Sequence, residues 1–200
     1  MKKRNSHYLF IKHVSVFIIY YFFISVIPSF SQEKFYINVD VGYPSPDERF
    51  FIDYKGVITA NFGVAYKLTN NVYTGISFNS LFTMQKNPVV NASYYFPAIN
   101  IKYEQKLPFR FIILPEAGTG LSFLNIKSSQ YDYNETQNGI NLYGKLAMGY
   151  SVNTILSILI YYRYNYIHLN KDEEFTKLEY FRNLHITNFG IGINIKISKK

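Results

Sequence analysis

The chain has 200 residues, of which 17% are charged and 19% aromatic, with 20 Tyr, 18 Phe and neither Cys nor Trp. That length holds one ordinary domain, and so many aromatics among so few charges exclude disorder. The missing cysteine excludes disulfides, thiolate metal sites, a cysteine nucleophile and a lipid-modified cysteine.

The formal net charge of +8 is concentrated at the N-terminus. MKKRN is a positive n-region and Val14 to Ile27 (VSVFIIYYFFISVI) an apolar h-region. Pro28 breaks the helix, and Ser29-Phe30-Ser31 puts small residues where a signal peptidase reads them. The pattern predicts a signal peptide over 1–31, cleavage after Ser31, and a mature domain over 32–200; the apolar run is short for an uncleaved anchor. Removing Lys2, Lys3, Arg4 and Lys12 from the 21 basic residues leaves 17 against 13 acidic ones. With no basic cluster interleaved with aromatics in the mature chain, nucleic acid is excluded as a partner.

Alternation with a period of two then runs to the end, the mark of strands with two unlike faces. Phe35, Ile37, Val39, Val41 and Tyr43 oppose Tyr36, Asn38, Asp40 and Gly42. NFGVAYKLTNNVYTGISF (Asn61 to Phe78) carries the next two runs: Phe62, Val64, Tyr66 and Leu68, then Val72, Thr74, Ile76 and Phe78, the second continuing to about Leu81. The fourth sets Tyr95, Ile99, Ile101 and Tyr103 against Ala98, Asn100, Lys102 and Glu104. In the fifth, Ala117, Thr119, Leu121 and Phe123 oppose Glu116, Gly118, Gly120 and Ser122. The sixth places Leu142, Leu146, Met148 and Tyr150 against Asn141, Tyr143, Lys145, Ala147, Gly149 and Ser151. The seventh places Leu156, Ile158, Ile160, Tyr162, Tyr164 and Tyr166 against Ser157, Leu159, Tyr161, Arg163 and Asn165. The last sets Phe189, Ile191, Ile193, Ile195 and Ile197 against Asn188, Gly190, Gly192, Asn194 and Lys196.

Tight turns at 69–71, 106–108 and 152–154 alternate with long polar segments near 44–56, 83–93, 125–139 and 169–184. This is the rhythm of an up-and-down antiparallel sheet whose two ends face different compartments. Two barrels fit: a soluble lipocalin-like one, apolar inside and carrying an apolar ligand, and an outer-membrane one, apolar outside. The polar rows are rich in Gly, Ala, Ser and Asn, which suits the narrow interior of eight strands. Their charges (Asp40, Lys67, Lys102, Glu104, Glu116, Lys145, Arg163 and Lys196) are mixed in sign and so able to pair inside. Tyrosines at strand ends (Tyr43, Tyr66, Tyr73, Tyr94, Tyr95, Tyr150, Tyr162, Tyr164, Tyr166) suit interfacial girdles. The expectation is an all-β, eight-stranded, antiparallel up-and-down transmembrane β-barrel.

The FSQ end of the signal peptide, the NFGVAYKLTNNVYTGISF hairpin and EAGTGLSF (Glu116 to Phe123) resemble small outer-membrane β-barrel proteins of the OmpA/OmpX-like kind in Gram-negative bacteria. The resemblance spans the mature chain at the level of pattern. It implies the outer membrane as location, outer-membrane lipid as surroundings, and surface ligands or envelope proteins as partners of the long loops. In one respect the chain departs from it: Ile197, in INIKISKK, stands where such barrels usually end on an aromatic residue.

No catalytic or cofactor signature is present, and no cofactor is expected. The lumen charges read as a structural network or, alternatively, an ion path, though eight strands leave no wide pore. His168 and His185 are rim candidates on either side of the acidic run 171–174, either for a cation or lipid headgroup or as plain solvated side chains. A lipid A-modifying barrel enzyme with rim His and acidic residues is the third reading. Gly118-x-Gly120 and Gly190-x-Gly192 lie inside strands and fit close lumen packing rather than a nucleotide loop. Segment 125–139 mixes Tyr with Asn, Ser and Gln, a composition suited to adaptable loop contacts.

Overall fold

A computed structural model describes residues 35–45, 54–85, 90–128, 133–170 and 183–197. The expected signal peptide, the acidic run 171–174 and the tips of the long connections lie outside the described residues. Eight long strands make up nearly all of what is described: β1 (Phe35–Ser45), β2 (Tyr54–Lys67), β3 (Val72–Gln85), β4 (Val90–Tyr103), β5 (Phe111–Ser128), β6 (Tyr133–Ser151), β7 (Leu156–Leu169) and β8 (Asn183–Ile197).

Every strand pairs antiparallel with its sequence neighbour, and β1 also pairs with β8, which closes the sheet into a barrel. Closure fixes a stagger. From Gly42 the register runs through Thr59, Leu81 and Tyr94 to Leu124 on β5. In the other direction it runs through Gly190, Tyr161 and Ala147 to Leu114 on the same strand. The two walks end ten residues apart (124 against 114), the shear that ties strand tilt to a narrow, filled interior.

Alternation decides the two faces. Among the residues whose side chains are described, the outward rows of the strands carry one charged side chain, Lys127. Large apolar side chains stand exposed between the turns, among them Phe62, Ile76, Ile99, Leu121, Ile160 and Ile191, the last at 66%. Ala65, the inward neighbour of Val64, is 2% exposed. A water-facing surface of this kind would be one continuous sticky patch; facing acyl chains it is the stable arrangement.

The structure corrects two sequence expectations. Segment 125–139 is not mainly loop: β5 runs to Ser128 and β6 starts at Tyr133, paired across to each other. The fifth strand begins at Phe111, directly after the Leu107-Pro108 turn, and Gln105–Lys106 extends the ladder by pairing with Ile112 and Ile113. That hairpin closes over a 3-10 turn at Pro108–Arg110 in which Phe109 (φ 59°) and Arg110 (φ 67°) are left-handed. The second correction concerns Tyr73 and Tyr94, which do not join a girdle; they point inward and are 3% and 0% exposed. The girdle is built instead by Phe35, Tyr66, Phe111 and Tyr150 at the short-turn end, and by Tyr43, Tyr162, Tyr164 and Tyr166 toward the other.

Candidate functional site: the lumen and the long-loop rim

The inward rows bring charges from distant parts of the chain into one space. Lys145 Nζ on β6 lies 2.5 Å from Asp40 Oδ2 on β1, with both side chains buried. The same carboxylate oxygen accepts from Asn61 Nδ2 at 2.8 Å and Asn38 Nδ2 at 3.3 Å. Lys102 Nζ donates to Asn38 Oδ1 at 3.4 Å and pairs with Glu116 Oε2 at 3.3 Å. Glu116 Oε1 accepts from the Tyr143 hydroxyl at 2.7 Å, and that hydroxyl lies 3.3 Å from Ser77 Oγ. Buried ions need such pairing and such extra hydrogen bonds, since desolvation otherwise costs several kcal/mol per ion.

Arg163 differs from the other cations. It is 1% exposed, yet its hydrogen bonds are to amides: Nε to Asn165 Oδ1 at 3.0 Å and Nη1 to Asn61 Oδ1 at 3.4 Å. Its guanidinium lies 3.8 Å over the Tyr143 ring. Nearer the short turns, Glu104 Oε1 takes Lys196 Nζ at 2.9 Å and exposed Lys106 at 4.0 Å, and Tyr36 donates its hydroxyl to Glu104 Oε2. The Tyr36 ring lies under both Lys102 and Lys196 and edge-on to Tyr73. Lys67 sits half-buried beside the 68–71 turn.

Two glycine pairs make room for this network. A Cβ on Gly118 would lie 2.4 Å from the Tyr143 ring, and one on Gly190 2.7 Å from the Tyr161 ring. On Gly192 it would meet Asp40 Oδ1 at 2.1 Å. On Gly120 it would strike the Pro97 carbonyl at 2.0 Å, backbone that has nowhere to move. The spacing is thus one of close approach, in keeping with the absence of a following helix.

The sequence reading missed a second kind of interior. Toward the long connections Leu81, Ala92, Tyr94, Phe96, Leu124, Ile126, Ile167, Leu169, Leu184 and Ile186 form one buried apolar cluster. It joins β3, β4 and β5 to β7 and β8 across the lumen, with Tyr94 and Phe96 stacked at 5.9 Å. The signal was in the sequence as failed alternation: in SYYFPAI and LSFLNI both rows are largely apolar.

His168 and His185 lie on neighbouring strands of the outer face, not in the lumen. His168 Nδ1 is 2.7 Å from Asn183 Oδ1, and His185 Nδ1 is 2.5 Å from the Tyr164 hydroxyl. The His185 ring also packs against Tyr166, centroids 5.2 Å apart. Among the described residues, no group of three His, Cys, Asp or Glu is placed to hold a metal ion.

No family model and no curated protein matches the sequence. Solved structures do match the fold. Neisserial surface protein A is 16% identical, with a TM-score of 0.58, over 82% of this chain and 97% of its own. A major outer membrane protein from Thermus thermophilus is 9% identical, with a TM-score of 0.59, over 82% and 99%. The outer membrane protein OprG from Pseudomonas aeruginosa is 13% identical, with a TM-score of 0.51, over 84% and 97%. The chain has the fold of small eight-stranded outer-membrane barrels.

Proposed function

We propose that this is a non-enzymatic integral barrel of an outer membrane, exported by the signal peptide over 1–31. Its short turns face the periplasm, and its work is envelope structure or interaction through the long connections. The observation that carries this reading is the outward face: rows of exposed aliphatic and aromatic side chains, almost free of charge, around a lumen filled by ion pairs and apolar packing. The two histidines are engaged by Tyr164 and Asn183 on that outer face, away from the lumen carboxylates, which supports a role at the lipid boundary rather than in bond breaking.

Fractionation with and without boiling tests the location: a compact, heat-modifiable band in the outer-membrane fraction is expected, and a soluble periplasmic protein overturns the reading. Ile99→Arg tests the orientation. Near mid-membrane it should cost roughly 2–4 kcal/mol and reduce insertion, whereas in a water-facing position it would be harmless. To divide structure from interaction, a deletion strain is complemented with a chain whose 171–182 connection is shortened to a turn. Restored detergent resistance assigns the work to the barrel; restoration by the full chain alone assigns it to the connection.

A further inference from the structure

We propose that the short-turn end of the barrel is a binding face for anionic phospholipid headgroups, centred on the turn from Lys106 to Arg110. The inference rests on the membrane reading above and goes beyond it by giving one end of the barrel a preference among lipids.

The turn carries two side chains that its own backbone disfavours. Phe109 (φ 59°) and Arg110 (φ 67°) are left-handed, a conformation that Gly or Asn adopts readily and a bulky residue only at a cost. Such strain persists where packing or function holds it. Burial does not hold it here: Phe109 is 86% exposed. Arg110 is exposed as well, with Nη1 reaching the Val152 carbonyl at 3.4 Å. An aromatic ring and a cation thus stand on positions suited to Gly and Asn, and both face outward.

The face around them is continuous. The Glu104 amide donates to the Asn71 carbonyl at 2.7 Å and the Lys196 amide to the Ile155 carbonyl at 2.8 Å. With the Arg110–Val152 bond, these contacts tie the three short turns and the end of β8 into one floor. Leu68, Phe109 and Ile155 on it are each more than half exposed. Its cations are Lys67, Lys106, Arg110 and Lys196, while the acid described at this end, Glu104, is buried and takes Lys196 and Tyr36. The sequence adds Lys199 and Lys200 directly after β8, whereas the long connections hold more acidic than basic residues. Apolar and cationic side chains set side by side are the composition of a membrane-interface binder, and Lys or Arg there draws anionic lipid. Reach argues against a partner free in the periplasm. Phe109 stands two residues from Phe111 of the girdle, at most roughly 7 Å of chain, and the headgroup layer is itself about 5–7 Å deep. The turn therefore ends among the headgroups, with Lys106 and Arg110 beside the phosphates.

The chain has no Trp, so a single introduced Trp reports on the lipids nearest to it. Full-length protein with Phe111→Trp at the short-turn girdle, or Tyr43→Trp toward the other end, is refolded into vesicles of equal phosphatidylglycerol and phosphatidylcholine. One lipid or the other is brominated high on its acyl chains, and quenching gives the local preference. Phe111→Trp should show roughly a fivefold or greater preference for phosphatidylglycerol, the effect of one cation at the surface, and Tyr43→Trp none. Salt at about 1 M should remove most of it. Adding Lys106→Gln with Arg110→Asn should bring the ratio to about one. Phe109→Gly, which relieves the backbone, should lower it about twofold and leave the heat-modifiable band as stable as before.

An equal preference at both reporters, or one that survives Lys106→Gln with Arg110→Asn, overturns the proposal. No preference at either reporter overturns it too and gives the face to a periplasmic protein or polymer. A Phe109→Gly barrel that is less stable than its parent makes that ring a structural part and removes it from the site. Protein that does not insert at all refutes the membrane reading instead.

Discussion

The two parts of the barrel interior solve burial by opposite means. Around Phe96 and Leu124 the inward side chains are apolar and meet one another across the lumen. A few residues further along the same strands, Asn100 and Lys102 on β4 and Glu116 on β5 are also buried but held by ion pairs and amides. Dispersion contacts tolerate any filler of the right volume, whereas a buried charge tolerates only its partner. Smaller apolar groups around Leu114 and Leu159 and around Tyr36 and Tyr73 sit among the ion pairs, but only beyond the Leu124–Ser122 step do charges enter the packing, and there the response to substitution should change in kind.

The largest break is expected in the charged half. Asp40→Asn leaves Lys145 buried beside amides and should cost about 4 kcal/mol, measured by urea unfolding in detergent followed by the loss of the compact band. Adding Lys145→Met should recover much of that loss, because a neutral pair no longer strands a charge. Next comes Phe96→Ala in the dry half, about 3 kcal/mol, with Phe96→Leu costing less than about 1.5 kcal/mol as a more nearly volume-conserving change. If instead Asp40→Asn is tolerated and Phe96→Leu is not, the two halves have been assigned the wrong way round. The smallest effect is set for the boundary: Ser122→Ala should move stability by less than about 1 kcal/mol, since its hydroxyl has no protein partner to lose.

Much of this was legible in the sequence because a membrane barrel in contact with a polar lumen must alternate. Phe62, Val64 and Tyr66 against Gly63 and Ala65 is a contrast that no other element produces at that spacing. The large apolar cluster was illegible for the converse reason: where both faces are dry, as at Tyr94-Tyr95-Phe96-Pro97, alternation vanishes although the strand does not. Segment 125–139 was misread because strand ends at a membrane rim are polar on the outer row, which imitates a loop. The inward direction of the charges followed from parity, but their partners did not. Lys145 and Asp40 are 105 residues apart and meet only because the shear brings β6 opposite β1. His168 and His185 read as a joint rim candidate, yet each is engaged by its own neighbour, Asn183 and Tyr164, a matter of side-chain direction that sequence spacing does not carry.

The pairing of Phe35 with Ile197 has a consequence for how the chain can be rewired. The seam between the first and last strands is built like every other seam, so covalent order around the ring is arbitrary. A short linker joining 35 to 197, with new ends opened in the 69–71 turn, would give a circular permutant with an unchanged ladder. Only the timing of closure would differ, since the β2–β3 contact would become the last to form instead of the easiest.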